Sequence, residues 1–84
     1  MFNFIDFSFL NKFNLDYDYI KLDFLTKRLF IGINVPSDFD DRVFYHEEKR
    51  KFIDELKSMG WVHKYTVRDI GYDVLVFQGD QNGA

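Results

Sequence analysis

The sequence feature that most constrains the fold of this protein is its large number of aromatic side chains in a short chain without cysteine. Its 84 residues include 11 Phe, 5 Tyr and 1 Trp but no Cys. A chain of this length usually struggles to bury enough apolar surface to fold alone. Each buried aromatic ring removes roughly 150–250 Å² from water, worth several kcal/mol at about 25 cal/mol per Å². We therefore predict that aromatic packing stabilises one domain without disulfide, metal or cofactor.

Composition and charge narrow the class of protein. The hydrophobic content of 46% and the charged content of 30% are typical of an ordered globular chain. No uncharged run approaches the ~20 residues of a membrane span, and Asp6 interrupts the apolar N-terminus, which makes it a poor signal peptide. The absence of cysteine suits a reducing cytosol, so we expect a cytoplasmic protein without membrane contact. The net charge of −3 lacks the excess of Lys and Arg on which sequence-independent nucleic-acid binding rests.

Hydrophobic alternation predicts four strands in the body of the chain. Residues 15–24 alternate with one slip at Ile20, which indicates a strand with a bulge. Residues 28–35 give the clearest alternation of the chain. Residues 61–68 and 73–78 alternate in the same way on either side of a short polar turn, which predicts a second hairpin.

One long helix separates the two pairs of strands. Its periodicity is clear from His46 to Met59, whereas residues 42–45 fit either a short strand or a first helical turn. Gly60 follows the last apolar position, where a left-handed C-cap is favoured. These elements predict a core that contains Leu29, Ile31, Ile33, Phe52, Leu56, Trp61 and Val76.

The aromatic N-terminus admits two interpretations. As a strand, residues 2–9 alternate with one slip, and Phe is favoured in strands. As a helix, the residues that align are Phe2, Ile5, Phe9 and Phe13. We favour the strand. An α+β fold follows, with an antiparallel sheet of four to five strands packed on one long helix in the order β-β-β-α-β-β.

The same segment bears on domain limits and assembly. We predict a single domain over residues 1–78 and a flexible C-terminal tail over residues 79–84. A strand with aromatic residues on both faces cannot bury them all against one small core. We therefore predict self-association, with a homodimer formed through the aromatic N-terminal segment.

Neither histidine forms a recognisable catalytic or metal-binding motif. His46 begins a stretch like the helical zinc-protease motif, but Arg50 occupies the place of the required second histidine. His63 lies in a strand beside Trp61 and Tyr65, where a partly buried structural role is favoured over that of a base or ligand. We therefore predict a protein that is not an enzyme and has no catalytic residue, cofactor or metal.

Two acidic groups are candidates for binding a protein partner. Carboxylates in a loop after a strand can hold Mg²⁺, but in this loop helix capping is the favoured interpretation. Acidic side chains also match basic clefts on partner proteins. The candidate partner-binding residues are Asp16, Asp18 and Asp23 in the first alternating segment and Asp38, Asp40 and Asp41 in the loop.

Basic residues near aromatic ones provide an alternative nucleic-acid interface. Phosphate contacts from cations and stacking on aromatic rings bind single strands. Acidic residues are interspersed on the same helix, however, and pairs such as Glu47–Lys51 favour a solvated surface. The candidate residues on the helix 46–59 and the hairpin 61–78 are Lys49, Arg50, Lys51, Lys64 and Arg68.

These features favour a small non-enzymatic protein-binding module that acts through an acidic and aromatic surface. Phe, Tyr, Met, Ile, Asn and Lys far outnumber Gly, Ala, Arg and Pro, a bias expected of an AT-rich genome. Many low-GC phages and mobile elements encode small acidic inhibitors of host defence or regulatory proteins, and we expect this chain to be one of them. The alternative is a small nucleic-acid-binding regulatory protein.

Overall fold

A computed structural model describes residues 7–79 of the chain. They form an α+β fold in which one helix packs on a four-stranded antiparallel sheet. After a 3-10 helix at Phe7–Lys12, the elements are β1 (Asp16–Asp23), β2 (Arg28–Asn34), α1 (Phe39–Ser58), β3 (Trp61–Asp69) and β4 (Tyr72–Gly79).

The sheet consists of two hairpins joined through the helix. The strand order is β1-β2-β4-β3, so the last strand of the chain lies between β2 and β3. All three strand pairs are antiparallel, with Ile31 opposite Ile20 on one side and Leu75 on the other. Strands β2 and β4 are therefore central, and the helix connects the central strand β2 to the edge strand β3.

The core lies between α1 and the inner face of the sheet. Alternation along β2 and β4 places their inward-facing side chains directly opposite one another, as in the pair Leu29–Phe77. Phe52 of the helix contacts the Phe77 ring edge-on, with the centroids 6.2 Å apart. All seven predicted core residues are buried, and six of them belong to the core between α1 and the sheet, which confirms the predicted phases of β2, α1 and the start of β3. Val76, however, is buried on the outer face of the sheet, opposite Phe30 and Tyr65.

The predicted N-terminal strand is wrong over residues 7–9, because this segment is part of the 3-10 helix; residues 2–6 lie outside the described residues. The rings of Phe9 and Phe13 both contact Phe52, with centroids 5.8 Å and 5.5 Å away. In a strand, four residues would span about 13 Å, too far for both rings to reach one partner. The element order over residues 7–79 is consequently β-β-α-β-β, with one strand fewer than predicted.

The helix begins seven residues before its predicted start at His46. Asp38 is the N-cap, and its side chain accepts hydrogen bonds from the backbone N–H groups of Asp40 and Asp41 at 3.2 Å and 3.3 Å. The polar loop favoured as a capping sequence therefore caps the helix directly. Gly60, with φ of 91°, follows the C-cap Met59 and confirms the predicted left-handed end of the helix.

Each of the two edge strands, β1 and β3, contains a bulge. The register of β1 shifts between Tyr17 and Tyr19, which confirms the predicted bulge and places it before Ile20. A second shift, between His63 and Tyr65 in β3, was not predicted. It turns Tyr65 and Val67 to the outer face, where Val67 is 53% exposed.

Candidate functional site

Two grooves flank the first turns of α1, one lined by two Asp and the other by two Arg and two Asp. The first, which we call the acidic groove, has a volume of about 520 Å³ and is lined by Asn14, Leu15, Asp16, Asn34, Pro36, Asp41, Phe44 and Tyr45. The second, which we call the basic groove, has a volume of about 500 Å³ and is lined by Val35, Pro36, Ser37, Arg42, His46, Arg68, Asp69, Ile70, Gly71 and Asp73. Pro36 contributes to both, so the grooves are neighbours separated by the start of the helix.

The acidic groove combines two predicted aspartates from distant parts of the chain. Asp16 begins β1 and pairs with Asn34 at the end of β2. Asp41 lies in the first turn of α1, which starts shortly after the same strand end. Phe44, one turn further along the helix, leaves 45% of its surface exposed beside them. Carboxylates, an exposed ring and two side-chain amides thus face the same concave surface.

The other predicted acidic residues divide between the two ends of the sheet. Asp18 accepts a hydrogen bond from the Tyr72 hydroxyl at 3.0 Å, on the outer face near the acidic groove. Asp38 and Asp40 lie at the helix start, and Asp38 is occupied by capping. Asp23 lies at the far end of β1, where its carboxylate accepts hydrogen bonds from the backbone N–H groups of the turn. A hydrogen bond from the Thr26 side chain, followed by these backbone hydrogen bonds, lowers the pKa of Asp23. The carboxylate therefore has a structural role in the turn.

A buried polar cluster forms the wall between the two grooves. The Tyr45 hydroxyl donates to Asp73 Oδ2 at 2.6 Å, and Lys49 Nζ lies 3.6 Å from the same oxygen. The Lys49 ammonium also lies 5.3 Å from the centre of the Tyr45 ring. Burial and the Asp73 carboxylate raise the pKa of Tyr45, so its hydroxyl stays protonated as a donor. The three side chains satisfy one another in a site that water scarcely reaches.

The basic groove brings together cations from the helix and from β3. Arg42 and His46 are one turn apart on α1, and Arg68 lies opposite Asp73 in the register of β3 and β4. Partial burial, followed by the charges of Lys49 and Arg68, lowers the pKa of His46. His46 is therefore mainly neutral near pH 7 and keeps one donor and one acceptor nitrogen.

His63 lies on the inner face of the sheet and lines neither groove. Its Nε2 atom is 2.9 Å from Thr66 Oγ1, and its ring centroid is 5.5 Å from that of Phe77. Burial, with a smaller effect of the Lys49 charge, lowers its pKa. This partly buried strand position matches the structural role that the sequence favoured.

The five residues of the alternative nucleic-acid interface do not form one open basic surface. Lys49 is nearly buried against Asp73, and Lys51 forms an ion pair with Glu48 at 3.3 Å. Arg50 and Lys64 are exposed on different elements, and Arg68 lines the basic groove. Two of the five cations are thus already paired with carboxylates.

Sequence reasoning missed three residues that shape this region: Tyr45, Glu48 and Asp73. All three are buried. Glu48 Oε1 accepts a hydrogen bond from the backbone N–H of Asn14 at 3.0 Å, which ties the chain before β1 to the helix and lowers the pKa of Glu48. Tyr45, Glu48, Phe52 and Leu56 follow a helical spacing, but the charged member hides the stripe from a hydrophobic pattern.

Comparison with known protein families, curated proteins and solved structures found no match for this chain. Over residues 7–79, no three His, Asp or Glu side chains cluster in a way that could hold a metal ion. Within the same range, the one α-helix is too polar to cross a membrane.

Proposed function

We propose that this protein is a non-enzymatic protein-binding module, and that the acidic groove receives a Lys or Arg side chain of its partner. The observation that carries this proposal is the convergence of Asp16 and Asp41 on one groove beside the exposed ring of Phe44. The two carboxylates would bind the cationic head, and the ring would contact the apolar stem or the face of the cation.

The surrounding surface supports a basic partner. Asp18, Asp38 and Asp40 lie at the same end of the sheet as the groove. Such a field would steer a basic protein surface towards the groove and raise the association rate at low salt. We propose that the partner is a host defence or regulatory protein and that the chain acts as its inhibitor, by analogy with small acidic proteins of phages and mobile elements.

A charge-matched pair of variants tests the site. Asp16→Asn/Asp41→Asn removes two charges from the groove, and Glu47→Gln/Asp54→Asn removes two charges from exposed positions of α1 outside it. All four positions are exposed, so both variants should keep the far-ultraviolet circular dichroism of the parent protein.

The probe is a short peptide with a single central arginine, titrated into isotope-labelled protein and followed by NMR. We expect saturable shifts at Asn14, Asp16 and Phe44, weaker binding at high salt, and loss of binding only in the groove variant. Capture from nuclease-treated bacterial lysate with the same variants then identifies the partner. Equal binding by the parent and the groove variant, or binding that nuclease abolishes, would contradict the proposal.

A further inference from the structure

The basic groove holds three basic side chains that the residues around them leave available. Over residues 7–79, neither His46 nor Arg68 makes a side-chain hydrogen bond or ion pair. Arg42 donates from Nη2 to the Ser37 carbonyl at 3.0 Å and from Nε to the Pro36 carbonyl at 3.4 Å, which leaves Nη1 without a partner in the same range. Two backbone bonds therefore hold this guanidinium in place at the groove while donors remain for a ligand.

The carboxylates of the groove, by contrast, are already engaged. Asp73 receives the Tyr45 hydroxyl and lies beside Lys49. Asp69 Oδ1 accepts a hydrogen bond from the Ile70 backbone N–H at 2.8 Å. The groups that act on His46 are mainly cationic, since Lys49, Arg68 and Arg42 all lower its pKa and only Asp73 opposes them. Lys49 thus offsets the charge of Asp73, whereas Asp69 keeps its negative charge. With Arg42 and Arg68, the charged groups at the groove are three cations and two carboxylates, a net charge of +1.

An apolar wall accompanies these cations. Val35 and Pro36 lead from β2 into the helix, and Ile70, in the turn between β3 and β4, is 98% exposed. The wall could contact an organic group attached to an anion, and a groove of about 500 Å³ falls in the size range of small-molecule sites.

We propose that the basic groove binds a small phosphate monoester, with Arg42, His46 and Arg68 contacting the phosphate and Val35, Pro36 and Ile70 contacting its organic group. Guanidinium groups bind phosphate oxygens through paired, charge-assisted N–H donors, and imidazole supplies a further donor. This site is separate from the acidic groove and does not depend on the protein-binding function.

Nucleic acid fits the groove less well than a small phosphate ester does. A polynucleotide needs a continuing track of cations along its backbone. On the helix that borders this groove, however, Lys49 and Lys51 are paired with carboxylates, and the adjoining acidic groove presents Asp16 and Asp41. The paired lysines would not bind the next phosphate along a strand, and the aspartates would repel it.

The test is an NMR titration with phenyl phosphate and with inorganic phosphate at constant ionic strength. We expect saturable shifts at Ser37, His46, Ile70 and Gly71, with tighter binding of phenyl phosphate because its ring contacts the apolar wall. The pKa of His46 should rise on binding, since a nearby anion favours the protonated ring. Arg68→Gln should weaken binding about tenfold or more, the effect of losing a charge-assisted hydrogen bond.

Arg50→Gln is the matched control, because it removes the same charge from an exposed helix position outside the groove. Equal weakening by Arg50→Gln and Arg68→Gln would show general charge attraction and overturn the proposal. No saturation at phenyl phosphate concentrations on the order of 50 mM would do the same. Tighter binding of a single-stranded oligonucleotide without terminal phosphate, with shifts at the same residues, would assign the groove to nucleic acid instead. None of these outcomes alters the arginine-peptide experiment on the acidic groove.

Discussion

Removing the hydroxyl group of Tyr45 should destabilise the fold although the ring stays in place. In Tyr45→Phe the packing of the ring and its contact with Lys49 remain, but Asp73 loses a hydrogen bond of 2.6 Å. Lys49 lies 3.6 Å from the same oxygen, too far to replace that bond. Hydrogen bonds to charged groups contribute about 1.5–3 kcal/mol, so we expect a loss near 2 kcal/mol in the free energy of unfolding. For a chain of this size, the melting temperature should fall by about 8–16 °C.

Urea denaturation followed by circular dichroism measures this loss. The slope of free energy against urea should not change, because the variant exposes the same surface on unfolding. Tyr65→Phe, at an exposed position on the outer face, removes the same hydroxyl and should change stability by less than about 0.5 kcal/mol. A loss below about 0.5 kcal/mol in Tyr45→Phe would refute the argument that a buried carboxylate depends on this donor.

A double-mutant cycle assigns the effect to the pair. In combination with Asp73→Ala, which removes the acceptor, the Tyr45→Phe change should show a coupling energy of about 1 kcal/mol or more. The loss of stability at high pH provides a second test. The pKa of Tyr45 is raised in the folded state, so its contribution is complete below the unfolded value of about 10 and is lost as the pH rises above it. The variant should lose less stability above pH 10 than the parent protein, although Tyr17, whose pKa is raised to about 12, still contributes.

Four further outcomes are expected. Leu56→Ala should cost about 2–5 kcal/mol in a urea titration, because the side chain is fully buried, and a cost near zero would contradict its core position. Gly32→Ala should cost about 1–3 kcal/mol, because the new methyl group would overlap the Tyr19 ring and the Tyr72 hydroxyl group. An unchanged melting temperature would show that these two side chains move aside freely. Burial lowers the pKa of His63, so its contribution to stability is present above the unfolded value of about 6.5 and is lost as the pH falls below it. The urea midpoint should therefore decrease when the pH is lowered from 7 to 5. A ring pKa of 6.5 or more, measured by NMR, would contradict this. Melting curves with and without EDTA should coincide, and a lower melting temperature on chelation would reveal a structural metal.

Strands were predictable where burial alone decides which side chain faces inward. Leu29, Ile31 and Ile33 alternate without interruption, and the structure places all three in the core. The same pattern failed in β3, where Trp61, His63, Tyr65 and Val67 also alternate cleanly. The bulge between His63 and Tyr65 reverses the facing of the residues after it, and no local sequence feature requires that extra residue.

The start of the helix escaped prediction because its apolar residues are mostly exposed. Phe39, Val43 and Phe44 face solvent, and Tyr45 is the first buried residue of the helix. A search for hydrophobic residues at helical spacing does not detect such a turn, although the capping residue Asp38 indicated where the helix begins. The candidate sites depend on the same contacts across the chain, so only their separate parts were visible in the sequence.

The buried cluster of Tyr45, Asp73 and Lys49 forms the wall between the two grooves, and this determines which variants can test each groove separately. Tyr45 lines the acidic groove and Asp73 lines the basic one, and the bond between them joins the helix to β4. A change to either residue would therefore move both surfaces at once and could not separate one binding function from the other. Asp16 and Arg68 lie on the rims, exposed and outside this bond. Substitutions at these two positions leave the wall intact, so a loss of peptide binding in one variant and of phosphate binding in the other would show two independent sites on a common scaffold.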